Sequence, residues 1–159
     1  MLSMLAVSME LKKEIHNVLC ATDFSEESDK AVAFAVSLLS SERDVTIHLV
    51  HVIRPLYKAL GDLSDASDLL LEEHDKSIKE AKHKIEAQAA EIRKTSFPRV
   101  HGSIRIGNPV NELLAAISEF RADLVVMGNK KRGFKKGILL GSVSERVSAD
   151  SDISVLIVR

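Results

Sequence analysis

The sequence predicts an α/β fold in which a parallel sheet is covered by helices on both faces. Three observations lead there. Short apolar runs of strand length alternate with longer segments of helical periodicity, in the order βαβαβαβαβ. The runs are near-continuous rather than alternating, which suits strands buried on both faces. The chain has 159 residues, 45% of them hydrophobic; at roughly 150 residues per domain this is one domain with a sizeable core.

The first strand is Val18-Leu19-Cys20-Ala21, ended by Thr22-Asp23-Phe24-Ser25. Ser25 is an N-cap, and Glu26 and Glu27 stand in the first turn, where the helix dipole favours acids. That helix runs through Ala31, Val32, Ala35 and Leu38 and stops near Ser40-Ser41. The second strand, residues 45–53, is apolar apart from Thr46, His48 and His51. These two histidines are three apart on a strand, so they point to opposite faces and cannot chelate one metal. Residues 54–67, with Pro55, Gly61 and several aspartates, read as a loop.

A long helix follows, about residues 68–95, with Leu71, Ile78, Ala81, Ile85, Ala89 and Ile92 at helical spacings. Glu72–Lys76 and Glu80–Lys84 are i,i+4 pairs on its other face. Pro98 breaks it before a third strand, residues 100–106. Asn108 as N-cap and Pro109 at the first helical position then open a helix with Val110, Leu113, Leu114 and Ile117 inside. The fourth strand, residues 123–127, leads into a loop rich in glycine and lysine. A short helix, about residues 142–149, precedes the last strand.

Charge and composition exclude several classes of function. With 22 basic and 23 acidic residues the net charge is −1, so no global field draws the protein to nucleic acid or anionic membrane. There is no Trp, one Tyr and five Phe, which is poor material for base stacking. The apolar residues 1–9 are too short for a bilayer, which takes about 20 residues, and they lack the leading charge and cleavage site of a signal peptide. Residues 1–14 are therefore expected to be an extension, frayed or packed on a partner, ahead of one domain at 15–159. The single cysteine, Cys20, excludes an internal disulfide and fits a reducing, cytoplasmic setting. No histidine shows ligand spacing, so no metal site is expected.

In sheets of this type a ligand binds beyond the carboxyl ends of the strands, where strand order reverses. The residues to inspect are Thr22 and Asp23, then Val52, then Gly107, and finally the segment from Gly128 to Ser142. That segment holds four glycines, five basic residues and no acid, and it ends where a helix begins. Backbone N–H groups, a helix N-terminus and the hydroxyls of Ser142 and Ser144 make a phosphate cradle. It is not a P-loop: Gly128 and Gly133 have the spacing, but Phe134 stands where lysine is required. The turn after the first strand contains no glycine, which excludes a dinucleotide fingerprint.

These residues resemble the universal stress proteins, whose nucleotide-binding members carry Gly-x2-Gly-x9-Gly-Ser/Thr after the fourth strand. Gly128, Gly141 and Ser142 match three of the four motif positions, and Lys131 stands at the second glycine. Thr22-Asp23-Phe24-Ser25, His51-Val52-Ile53, Gly107-x-Pro109 and Gly141-Ser142-Val143-Ser144 extend the similarity over about residues 15–159. A lysine in a positive-φ turn costs about 1–2 kcal/mol. An ammonium 4 Å from a phosphate gains up to about 4 kcal/mol at an effective dielectric of 20, before desolvation. The two terms oppose each other at Lys131.

The resemblance implies a Rossmann-like, adenine nucleotide alpha hydrolase-like sheet of order 3-2-1-4-5. It implies a homodimer through the last strand, from Ile153 to Val158, pairing antiparallel across a two-fold axis. It implies that Asp23 and the backbone of Val52 hold adenine and that Met127, Gly128, Gly141, Ser142, Val143 and Ser144 hold ribose and phosphates, with Thr22 and Lys131 also in the nucleotide site. The ligand would be ATP or another adenine nucleotide, with or without Mg2+. The expected function is that of a dimeric stress-response sensor or interaction module, not an enzyme. Alternatives are a family member that binds no nucleotide and works as a protein-interaction dimer, and an ATP hydrolase or phosphotransferase. Asp23 is the only pocket carboxylate the sequence places, with no P-loop lysine to stabilise phosphoryl transfer.

Overall fold

Among the described residues five strands and four helices alternate: β1 (Asn17–Ala21), α1 (Glu26–Leu38), β2 (Thr46–Ile53), α2 (Ser67–Arg93), β3 (Val100–Ile106), α3 (Pro109–Glu119), β4 (Leu124–Gly128), α4 (Ser142–Asp150) and β5 (Ser154–Val158). The computed structural model describes residues 14–42, 44–55, 67–95, 99–129 and 141–159, with the backbone alone for residues 67–69. All strand pairs are parallel and the order is β3-β2-β1-β4-β5. The fold class is the one the sequence predicts, and the strand order is the one the family resemblance implies. Strand β4 extends one residue beyond the predicted end, so that Gly128 pairs with Val158 inside the sheet.

Burial explains the continuous apolar runs. Leu19, Ile47, Leu49, Val50, Val125 and Val126 are sealed from solvent, each worth roughly 1.5–3 kcal/mol relative to exposure. On one face, α1 and α2 cover Val18, Cys20, Ile47, Leu49 and Val126 with Ala31, Ala35, Ile85 and Ala89. On the other, α3 and α4 cover Leu19, Val50 and Val125 with Leu113, Ala116 and Val147. Burial pushes the Cys20 thiol up to about 12, so it packs as a small hydrophobe. Among the described residues no helix is long and apolar enough to cross a membrane.

Helix starts follow the predicted caps. The Ser25 hydroxyl accepts from the Ser28 N–H at 3.4 Å. Asn108 Oδ1 accepts from the N–H groups of Val110 at 3.0 Å and Asn111 at 3.3 Å, with Pro109 in the first turn. Helix α4 differs, because its N-cap is Gly141 and no side chain among the described residues caps it. The central strands are also stapled at their amino ends: Asp123 Oδ2 accepts from the N–H groups of His16 and Asn17 at 2.9 and 3.0 Å.

Helix α2 lies close on β3 where Gly102 meets Ile85. A Cβ at position 102 would stand 3.1 Å from the Ile85 side chain and 3.3 Å from its carbonyl oxygen. Gly102→Val should therefore cost about 1–3 kcal/mol by overpacking, read as a lower urea midpoint with an unchanged slope.

The predicted separation of the two β2 histidines is also present. His48 stacks on Phe120, with centroids 4.4 Å apart, and its Nε2 lies 3.3 Å from Asn17 Oδ1. His51 lies on the opposite face, against Phe24. Burial, and then the nearby His101, hold the His48 pKa below its ordinary value. The unfolded chain therefore takes up the proton first as pH falls. Stability is full above about pH 6.5 and declines as pH drops through the lower folded value. His48→Gln should lose less stability than the wild type between about pH 7.5 and 5.5 in urea titrations.

Candidate functional site

The chain leaves β1 toward β2 on one side and β4 toward β5 on the other, and helices α1 and α4 lie on opposite faces. Between the carboxyl ends of β1 and β4 a cavity of about 320 Å³ opens, at the place where such folds bind ligands. Its walls contain nine of the ten residues singled out from sequence. Thr22 and Asp23 come from the β1 turn, Val52 from the end of β2, and Met127 and Gly128 from the end of β4. Gly141, Ser142, Val143 and Ser144 come from the start of α4. The tenth, Lys131, lies outside the described residues with the rest of the basic run.

The β1 turn is built from short side chains that bond one another. Asp23 Oδ1 accepts from both the N–H and the hydroxyl of Ser25, the former at 3.1 Å. The Phe24 N–H donates to Thr22 Oγ1 at 3.1 Å, and that hydroxyl meets Ser28 Oγ at 3.3 Å. Ser28 in turn donates to the Ser25 carbonyl at 2.9 Å. Phe24 sits at φ 59°, a left-handed conformation costing roughly 1–2 kcal/mol for a non-glycine residue. Its ring lies 4.4 Å from the His51 ring, with Lys84 Nζ 5.7 Å from its centroid. Asp23 itself is exposed on the cavity side.

The far wall is the start of α4, residues 141–144. Ser144 donates its hydroxyl back to the Gly141 carbonyl at 2.9 Å, so the first turn of α4 is closed on itself. With no side-chain cap among the described residues, the amino end of α4, whose residues line the cavity, carries the positive end of the helix dipole, about half a charge. An anion is the natural partner for such an end.

Eight residues that the sequence does not single out as site residues also line the cavity, among them Ser25, Glu27, Ser28, Arg54, Pro109 and Leu113. Arg54 directly follows strand β2, so its place at a strand end is a signal that could have found it; the loop composition of residues 54–67 hides it. It is a cation beside Val52 that makes no ion pair among the described residues. Glu27 stands out in the sequence only as an acid in a helix first turn, a pattern blind to the cavity beside it. Among the described residues no three His, Cys, Asp or Glu side chains gather closely enough to hold a metal.

A doubly wound parallel sheet with a partly polar cavity at its switch point defines the class as an open α/β domain. The chain belongs to the universal stress protein family, whose family model matches residues 14–159. Universal stress protein MJ0531 of Methanocaldococcus jannaschii is 30% identical over 146 residues, spanning 89% of this chain and 81% of its own. The solved structure of protein MJ0577, from the same organism, superposes with a TM-score of 0.75 at 28% identity, covering 91% of this chain and 95% of that one. A universal stress protein solved in complex with cAMP superposes with a TM-score of 0.62 at 26% identity, covering 91% and 97%.

Gly128 has a packing reason to be glycine. A Cβ there would lie 2.5 Å from the carbonyl oxygen of Glu27 and 2.9 Å from the backbone nitrogen of Ser28. Both are main-chain atoms at the start of α1, which cannot swing aside as a side chain can. Gly128→Ala should displace the start of α1 and destabilise the protein by about 1–3 kcal/mol in the absence of any ligand, measured as a fall in Tm of the nucleotide-free protein.

Proposed function

We propose that the cavity between β1 and β4 binds an adenine nucleotide. The protein then works as a cytoplasmic, homodimeric, nucleotide-dependent sensor or interaction module of the universal stress type. The observation that carries this reading is convergence: segments far apart in the chain, each marked by a strand end or a position of the glycine motif, line one cavity. Its volume lies in the range of small-molecule sites, and a solved relative is described in complex with cAMP.

The chemistry of the walls supports it. Asp23 and the Val52 backbone offer acceptors to the amine at C6 of adenine, where guanine has a carbonyl. The start of α4 offers N–H donors and a favourable dipole to phosphate. Arg54 adds a side-chain cation. The carboxylate of Asp23 accepts from Ser25 in a fixed turn, an arrangement suited to orienting a ligand, so the protein is read as a binder rather than a hydrolase or phosphotransferase. ATP turnover with Mg2+ well above the protein-free rate would overturn that part. Dimerisation is assigned to β5, an edge strand with an open ladder side; a monomeric mass by light scattering would overturn it.

Freshly purified protein, denatured and run on a nucleotide column, should release an adenine nucleotide, or the stripped protein should bind one. A nucleotide at 100 times its Kd adds about 2.7 kcal/mol, which raises Tm by roughly 5–11 °C for a domain of this size. Asp23→Ala should weaken binding about tenfold or more, and Gly141→Glu should abolish it by placing a carboxylate against the phosphates. No released nucleotide, together with no shift from millimolar ATP, ADP or AMP, would leave the interaction-dimer reading in its place.

A further inference from the structure

We propose that His51 is the positioning residue of the base-reading end of this cavity, holding the β1 turn open so that the Val52 peptide faces the ligand. The inference rests on the adenine reading of the cavity. Strand alternation supplies the first step. The Val50 carbonyl accepts from Thr22 N–H at 2.9 Å on the β1 side, and the Ile53 carbonyl accepts from Gly107 N–H at 3.0 Å on the β3 side. Val52 has the parity of Val50, so its N–H and C=O are directed to the β1 side. The β1–β2 register stops at Ala21↔Val50, which puts those groups beyond the last rung, where Val52 lines the cavity.

In a continuing parallel ladder the next bond would run from the Val52 N–H to the Thr22 carbonyl. That carbonyl is taken instead by His51 Nδ1 at 2.8 Å. A carbonyl only accepts, so Nδ1 carries the proton. The same imidazole lies against the Phe24 ring at 4.4 Å, and Phe24 is the residue that bears the positive φ of the turn. One side chain thus occupies the acceptor that would have extended the sheet and supports the strained residue next to Asp23. The strand is cut short, and the edge it exposes becomes the surface that reads the base.

The test compares ATP and GTP affinity, by calorimetry on nucleotide-stripped protein, for the wild type, His51→Phe and His51→Asn, with Tm recorded for each. Phenylalanine keeps a ring against Phe24 and loses the donor; asparagine places an N–H near the position of Nδ1. His51→Phe should lower the ATP-over-GTP preference at least tenfold, and His51→Asn should restore it to within about threefold of wild type. Loss of affinity for both nucleotides at an unchanged ratio would show a merely structural role and overturn the proposal. If His51→Phe lacks a thermal transition, Phe24→Leu, which keeps the His51–Thr22 bond and removes the supporting ring, should still lower the ratio; no change there overturns the proposal. A wild type that binds neither nucleotide overturns the reading of the cavity and this inference with it. A wild type that binds ATP selectively, with variants that match it, overturns the inference alone.

Discussion

The structure depends on a topological constraint at the middle of the sheet. Strands β1 and β4 lie side by side and parallel, yet each must reach a successor on the opposite side. Right-handed crossovers that set out in opposite directions place their helices on opposite faces, as α1 and α4 are placed. The two turns therefore part company as they leave the sheet. A crevice between them is an outcome of connectivity, and packing has only to avoid filling it. The hydrophobic cores on both faces keep β1 and β4 in register, so the position of the crevice is as firm as the core itself.

The two ends of the cavity are made by different means. At the β1 end the backbone is bent into an unfavourable conformation at Phe24 and retained there by hydroxyls, a carboxylate and an imidazole. At the α4 end no side chain among the described residues caps the helix, and its first turn forms the wall. The first kind of wall discriminates by donor and acceptor pattern. The second attracts charge with little regard to what carries it. A nucleotide, with a patterned base at one end and phosphates at the other, is a ligand whose own asymmetry matches.

Most of the fold is legible in the sequence because burial on both faces writes itself directly as apolar runs, and because Ser25, Asn108 and Pro109 mark helix starts by local chemistry. The site is legible where it consists of strand ends and a spaced glycine motif. Glu27 is not, since its approach to the cavity depends on how neighbouring elements pack, and the strand-end signal at Arg54 is hidden by the loop composition around it. Phe24 is unreadable for a related reason. Nothing in an aromatic side chain announces a left-handed backbone, and its support by His51 is a contact between residues far apart in sequence. In the sequence His51 shows only as a part of the family pattern and as half of a pair that cannot chelate; its bond to the Thr22 carbonyl exists only once β1 and β2 lie side by side.

The close approach of Gly128 to the backbone of Glu27 and Ser28 bears on how such motifs are scored. A motif position is usually taken as a vote for the ligand. Here the vote is cast by helix α1, whose first turn needs the space whether or not a phosphate ever arrives. A descendant that had lost its ligand would be held to the same glycine by stability alone. Gly141 and Ser142, at the start of α4, meet no such packing demand among the described residues, so under the proposed reading they are the positions that would report on a ligand.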